Sequence, residues 1–208
     1  GNLDTFSKNI DTYKKSVSLE IESLKERTTP LESIADLLTI KNPKDGLRVY
    51  VKSYRTGLGI GGGYFVYDST KANVNNSGTV INGWVREFKN VVSIVDFGGH
   101  SEATAIENAT ALNKALAACK IVVIPVGDFN LEPNTVKINN KNRLYCYGQL
   151  IGTEKDMSAK ADLAGIYINA SGVDDFEINT VNIRNGYRGI GINVEGCKNF
   201  TIDKPVVD

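Results

Sequence analysis

The chain has little that could serve covalent or metal chemistry. Its 208 residues include three cysteines, one histidine, one methionine and one tryptophan. Cys119, Cys146 and Cys197 lie far apart and are odd in number, which excludes both a disulfide framework and a paired metal knuckle. Buried, inert thiols of a protein made in a reducing cytoplasm are the reading that remains. There the sequons at Asn75, Asn108, Asn169 and Asn199 are expected to stay unglycosylated. His100, the single histidine, sits in the loop GGHSEAT, and a general-base role is not expected of it. An excess of one charge is lacking too: 24 basic residues balance 24 acidic ones, leaving no electrostatic footprint for nucleic acid. No apolar run approaches the roughly 20 residues that span a bilayer. The opening, GNLDTFSKNIDTYKK, lacks the basic-then-apolar pattern of a secretion signal. Cofactor, metal, nucleic acid and membrane insertion are all expected to be absent.

What the sequence does contain is a statement made twice. Residues 165–178 read GIYINASGVDDFEI and residues 189–202 read GIGINVEGCKNFTI. The identities are Gly165/Gly189, Ile166/Ile190, Ile168/Ile192, Asn169/Asn193, Gly172/Gly196, Phe176/Phe200 and Ile178/Ile202. They fall on alternating apolar positions and on the turns between them, and Val181 and Ile183 supply a third apolar pair. Three short strands and no helix per repeat read as one coil of a parallel β-helix. Like residues then stack at the strand spacing of about 4.8 Å, with Asn169 over Asn193 at a corner. The second copy stops partway round its coil, so the chain reads as a fragment of a longer protein.

Ahead of the coils the texture differs. Leu3, Ile10, Val17 and Leu24 recur every seventh residue, with Phe6 and Tyr13 between them, an a/d seam that predicts a short self-associating coiled coil. Glu20 and Arg27 at later d positions, with Ile21 one place late, mark a stutter. An amphipathic helix packed on its own domain is the alternative. In TTPLESIADLL, Thr29 reads as a helix cap, Pro30 as the first turn and Glu32 as the capping-box partner, with Leu31, Ile34, Leu37 and Leu38 on one face. LRVYVKSY, YFVYD and TVINGWVREF read as strands, with Trp84 as a core anchor. GLGIGG at 57–62 spells a dinucleotide fingerprint, but a strand follows it rather than a helix, so close backbone approach explains its glycines. ATAIENATALNKALAAC predicts a helix with Ile106, Ala109, Leu112, Leu116 and Cys119 on one stripe.

Three of these stretches together resemble a bacteriophage tailspike. The strand at 49–54, the glycines at 61–63 before an aromatic strand, and GTVINGWVR at 78–86 resemble the small β module many tailspikes carry. VDFGGHSEATAIENATALNKALAACKIVVIPVGDF resembles the entry of pectate-lyase-like β-helices, although GHSEAT stands where that family usually has an Asp-rich loop. The expected fold is mainly β: a trimeric coiled-coil stalk at 1–29, a small helix-plus-β module at 30–90, and from 91 to 208 a capping helix with the first coils of a right-handed parallel β-helix. The resemblance implies a homotrimer on the phage tail or baseplate, a virion protein synthesised in the host cytoplasm. Its full-length form binds bacterial surface polysaccharide, capsular or lipopolysaccharide, and is expected to depolymerise it. A non-enzymatic tail adaptor and a secreted pectate lyase or polygalacturonase are the rival readings.

Glycoside hydrolysis needs two carboxylates at about 5 Å or 6.5–9.5 Å. Asp174, Asp175, Glu177, Glu195 and Asp203 are available, and solvated surface is the expectation for each. Tyr167, Glu177, Arg184 and Tyr187 are the candidates for contacting sugar from the outer wall. The catalytic residues themselves are expected outside this stretch.

Overall fold

The computed structural model describes residues 2–132, 136–152, 166–184 and 190–207. Helix α1 runs over Asn2–Thr28. Among the described residues the seam stands open over Leu3, 84% exposed, Phe6, 64%, Tyr13, 70%, and Ile10, with Val17 half-buried. Packing on its own domain, the alternative for this helix, would have hidden that stripe. The Leu24 side chain lies outside the described residues.

A short helix capped by Thr29 does not form. Leu31 instead pairs in parallel with Val51, donating to Tyr50 O at 2.8 Å and accepting from Lys52 N at 2.8 Å, so its backbone cannot be helical. A 3₁₀ turn begins later, at Ile34–Thr39. Its first residue follows Ser33, whose N–H donates to Asp36 at 2.8 Å. Glu32 pairs with Lys52 rather than with the turn. Ile34 and Leu37 are buried, while Leu38 is 57% exposed and leaves the expected face.

The small sheet has β1 (Arg48–Ser53), β2 (Gly61–Tyr67), β3 (Val80–Ile81) and β4 (Trp84–Arg86) in the antiparallel order β1-β2-β4-β3. The strand expected over 79–88 is broken into a hairpin because Asn82 and Gly83 both take positive φ, 47° and 91°, the turn that Asn-Gly favours. Val49, Val51, Phe65, Ile81 and Trp84 close a core with Ile34 and Leu37. Trp84 anchors it as read, its ring set edge-on to Tyr67 with centroids 5.2 Å apart.

The second part starts with β5 (Val91–Ser93), a 3₁₀ turn at Ile94–Phe97 and helix α2 (Ala105–Ala118). Thr104 and Glu107 form a reciprocal capping box at the start of α2. The buried stripe holds Ala109, Leu112 and Leu116 as expected, but Ile106 is 60% exposed. Ala105 and Asn108 point inward instead, since the Asn108 carboxamide accepts the His100 N–H at 3.0 Å.

Then come β6 (Ile121–Ile124), β7 (Asp128–Leu131) and β8 (Val136–Lys137). They are followed by β9 (Arg143–Cys146), β10 (Gln149–Gly152) and β11 (Ile166–Ser171). The last five are β12 (Glu177–Asn179), β13 (Asn182–Arg184), β14 (Ile190–Glu195), β15 (Thr201–Asp203) and β16 (Val206–Val207). They form three parallel sheets, ordered β16-β13-β10-β7, β14-β11-β8 and β15-β12-β9-β6-β5. One core column steps through Val92, Val122, Leu144, Ile178 and Ile202. A second runs Phe129, Leu150, Ile183, and a third Val136, Ile168, Ile192. The doubled segments lie in register, Ile168 on Ile192 and Ile178 on Ile202. Phe176 and Phe200 stack at 5.2 Å with planes 7° apart. Gly165 and Gly189 lie outside the described residues.

The asparagine ladder forms, Asn193 Nδ2 donating to Asn169 Oδ1 at 3.0 Å, but inside strands β11 and β14 rather than at a corner. The corners are made by left-handed residues repeated one coil on: Gly172 and Gly196, Asp175 and Asn199, Thr180 and Lys204.

Candidate functional site

Alternation along a parallel strand puts every second residue on the outer wall. With Leu144, Ile178 and Ile202 inside, Arg143, Glu177 and Thr201 form an outer row, and Tyr145, Asn179 and Asp203 a second. Arg143 organises the first. Its Nη2 lies 3.1 Å from Asp175 Oδ1, its Nε 3.6 Å from Glu177 Oε2, and its Nη1 donates to the carbonyl of Asp175. The Tyr145 hydroxyl is 3.5 Å from the same Glu177 oxygen. The three charged side chains are partly exposed, so these pairs stabilise by well under about 1 kcal/mol each. They act as struts between coils.

The other acids are equally occupied or solvated. Asp174 accepts the Lys198 N–H at 2.7 Å, while its own N–H donates to Asn140 Oδ1 at 2.7 Å. Glu195 and Asp203 are exposed. Of the proposed sugar contacts, Glu177 is the residue tied to Arg143, and Arg184 is exposed on β13, in a different sheet. Tyr167 corrects the sequence reading: only 1% of it is exposed and it belongs to the same apolar cluster as Ile168. Its place between Ile166 and Ile168 is the outward phase of the alternation, yet the ring is buried with the core cluster. Tyr187 lies outside the described residues. Tyr167, Glu177 and Arg184 therefore do not converge on one cleft.

His100 is buried in the loop before α2. Cys146 is buried, Cys119 and Cys197 are half-buried, and all three are free thiols. Burial raises the Cys119 and Cys146 thiols above their ordinary value, which disfavours the reactive thiolate. Among the described residues no group of His, Cys, Asp or Glu is placed to hold a metal ion, and no helix is long and apolar enough to cross a membrane. The glycine loop at 57–62 does lead into β2. A Cβ on Gly61 would sit 2.1 Å from Val95 O and one on Gly62 2.2 Å from Val51 O, so close approach is what the glycines serve.

The most elaborate polar arrangement is one the sequence reading missed, at the junction between the small sheet and the coils. Arg86 is 5% exposed. Nε donates to Gly78 O at 3.0 Å, Nη2 to Gly61 O at 2.9 Å and Nη1 to Gly62 O. The guanidinium also reaches Asp96, 3.3 Å from its carbonyl and 3.3 Å from Oδ1, and lies 4.6 Å from the Phe65 ring centre. Burial lowers the pKa of Arg86 while the Asp96 carboxylate opposes that drop. The signal was present: Trp84 and Arg86 share the inward phase of one strand, and an inward arginine must find its partners inside.

Residues 30–90 match the phage tail protein small four-stranded beta-sheet domain family. No curated protein matches the chain. In fold the chain is similar to the tailspike of Acinetobacter phage vB_ApiP_P1, at 22% identity and a TM-score of 0.52 over 85% of this chain and 39% of that one. It is also similar to the gp42 tailspike of Acinetobacter phage vb_AbaP_AS12, at 18% identity and 0.50 over 75% and 37%. A third similar structure is the enzymatically active domain of tailspike protein 4 of bacteriophage CBA120, at 15% and 0.50 over 90% and 35%. The chain thus spans less than two fifths of the length of these structures. The family match and the shared fold support the resemblance to the amino-terminal part of phage tailspikes.

Proposed function

We propose that this chain is the amino-terminal part of a homotrimeric phage tailspike. Residues 1–29 form the trimerisation stalk and residues 30–90 attach to the tail or baseplate. From 91 to 208 run the first coils of a right-handed parallel β-helix, their open end covered by α2. The whole protein sits on the virion after synthesis in the host cytoplasm. It binds bacterial surface polysaccharide and cleaves it by hydrolysis or β-elimination.

One observation carries the reading: an apolar seam left uncovered on α1 lies immediately ahead of a sheet that matches phage tail proteins. Further copies of the helix would take Leu3, Phe6, Ile10 and Tyr13 out of water, and aromatic residues at a and d suit three strands as well as two. Catalysis is assigned to other coils, because Arg143 engages both Asp175 and Glu177 and the Tyr167 ring is buried.

Light scattering of this chain should give three times its 22.6 kDa; a monomer refutes the stalk and favours the secreted-lyase reading. The full-length protein, incubated with purified capsule or lipopolysaccharide, should release reducing ends or an unsaturated uronate. A trimer that leaves both polymers intact supports the second reading, a structural adaptor. The strut-like use of the outer-wall acids favours that reading over an enzyme with its site on these coils.

A further inference from the structure

We infer that Arg86 locks the small sheet and the coil stack into one mechanical body, so that the two parts turn and unfold together. This rests on the junction's geometry and not on the tailspike reading. Each part has its own apolar core, one around Trp84 and Phe65, the other along the coil columns. The two cores share no residue, so whatever couples them runs through the junction.

The coupling lies between them. Arg86 is rooted in the sheet by its donations to Gly61, Gly62 and Gly78, and it reaches across to Asp96 of the 3₁₀ turn. The same Asp96 carboxylate uses its other oxygen to accept the Ser93 N–H at 2.8 Å, which starts that turn. One carboxylate thus ends β5 and receives the sheet's arginine. The surfaces are shaped to meet: a Cβ on Gly78 would lie 2.3 Å from the Phe97 ring, and one on Gly98 2.5 Å from the Tyr54 ring. A buried guanidinium with a five-donor fork holds both sides at once, whereas a lysine ammonium cannot reproduce the fork. Arg55–Glu107 and Lys114–Ser77 also cross the junction, but at the surface, where such contacts contribute little.

The test is urea unfolding of the full chain read by two local probes. Trp84, the single tryptophan, reports on the sheet; hydrogen exchange at Val122, Leu144 and Ile178 reports on the coils. In the unaltered chain the two midpoints should coincide. In Arg86→Lys the Trp84 midpoint should fall below that of the coils. Gly78→Ala removes no donor but wedges Phe97, and with it the neighbouring Asp96, away from Arg86, so it should separate the midpoints even if Arg86→Lys does not fold. Arg55→Ala should leave them together. Separate midpoints in the unaltered chain overturn the inference. So does continued coincidence in Gly78→Ala or in a folded Arg86→Lys, or a separation produced by Arg55→Ala.

Discussion

Leu144→Ala tests whether the stacked column is the element that holds the coils. Leu144 is fully buried and sits in register between Val122 and Ile178. Leucine-to-alanine changes in cores cost about 2.7–5 kcal/mol, and more where the cavity cannot collapse. Here both neighbours are pinned by strand hydrogen bonds at about 4.8 Å, so a value of about 4 kcal/mol is expected. With a urea dependence of about 2 kcal/mol per molar, the midpoint read by hydrogen exchange should fall by about 2 M. Phe200→Ala supplies the comparison. Its ring stacks on Phe176 but is 44% exposed, so the cost should be at most about half that of a fully buried phenylalanine, or about 2 kcal/mol. Protein concentration is held fixed, because association shifts apparent stability. Equal losses for the two variants, or a loss below about 1 kcal/mol for Leu144→Ala, would refute the column as the main source of stability.

Glu107 predicts an acid-side effect. The Thr104 backbone N–H, then Arg55 and the Thr104 hydroxyl, hold its carboxyl at about 2 instead of the ordinary 4.5. A depressed carboxylate contributes fully above 4.5 and loses that contribution as pH falls toward about 2. Thermal melting of Glu107→Gln should therefore be flatter across that window than melting of the unaltered chain, and parallel profiles would contradict the assignment. Ile10→Asp places a charge in the exposed seam of α1; losing about 2–3 kcal/mol of apolar burial per chain should weaken self-association by roughly 30- to 150-fold for each chain joined. Sedimentation over a concentration series reads this directly, and an unchanged mass would remove α1 as the interface.

Legibility varied with how regular the chain is. The last two coils could be read because Ile178 and Ile202 belong to copies of equal length. The same column steps from 122 to 144 and then to 178, and those unequal steps hid the earlier coils from any search for a fixed period. Corners were misread for a related reason. Asn169 and Asn193 look like turn residues, yet they are strand residues that pair through their side chains. Thr180 and Lys204, which look like strand or surface residues, take the positive φ. The missed capping of the 3₁₀ turn at Ile34–Thr39 has a tertiary cause, since Leu31 is claimed by β1 before local helix preference can act. Tyr167 departs from simple alternation, since it holds the outward phase between Ile166 and Ile168 and is nonetheless buried with the core cluster.

The candidate site divides along the same line. Acids were visible in the sequence, but their use depends on what faces them. Asp175 and Glu177 are two residues apart and would invite a glycosidase reading on spacing alone. One coil below, Arg143 occupies the register position of Glu177 and engages both, and Asp174 is spent on the Lys198 amide one coil above. A carboxylate pair that cleaves a glycosidic bond must keep a gap for sugar and water between its members; this pair has a guanidinium bridging its two members. The charges on these coils thus link one turn of the chain to the next across the outer wall, each link weak beside the stacked core because its members are partly exposed. The buried Arg86 extends that tie beyond the coils, to the sheet that precedes them.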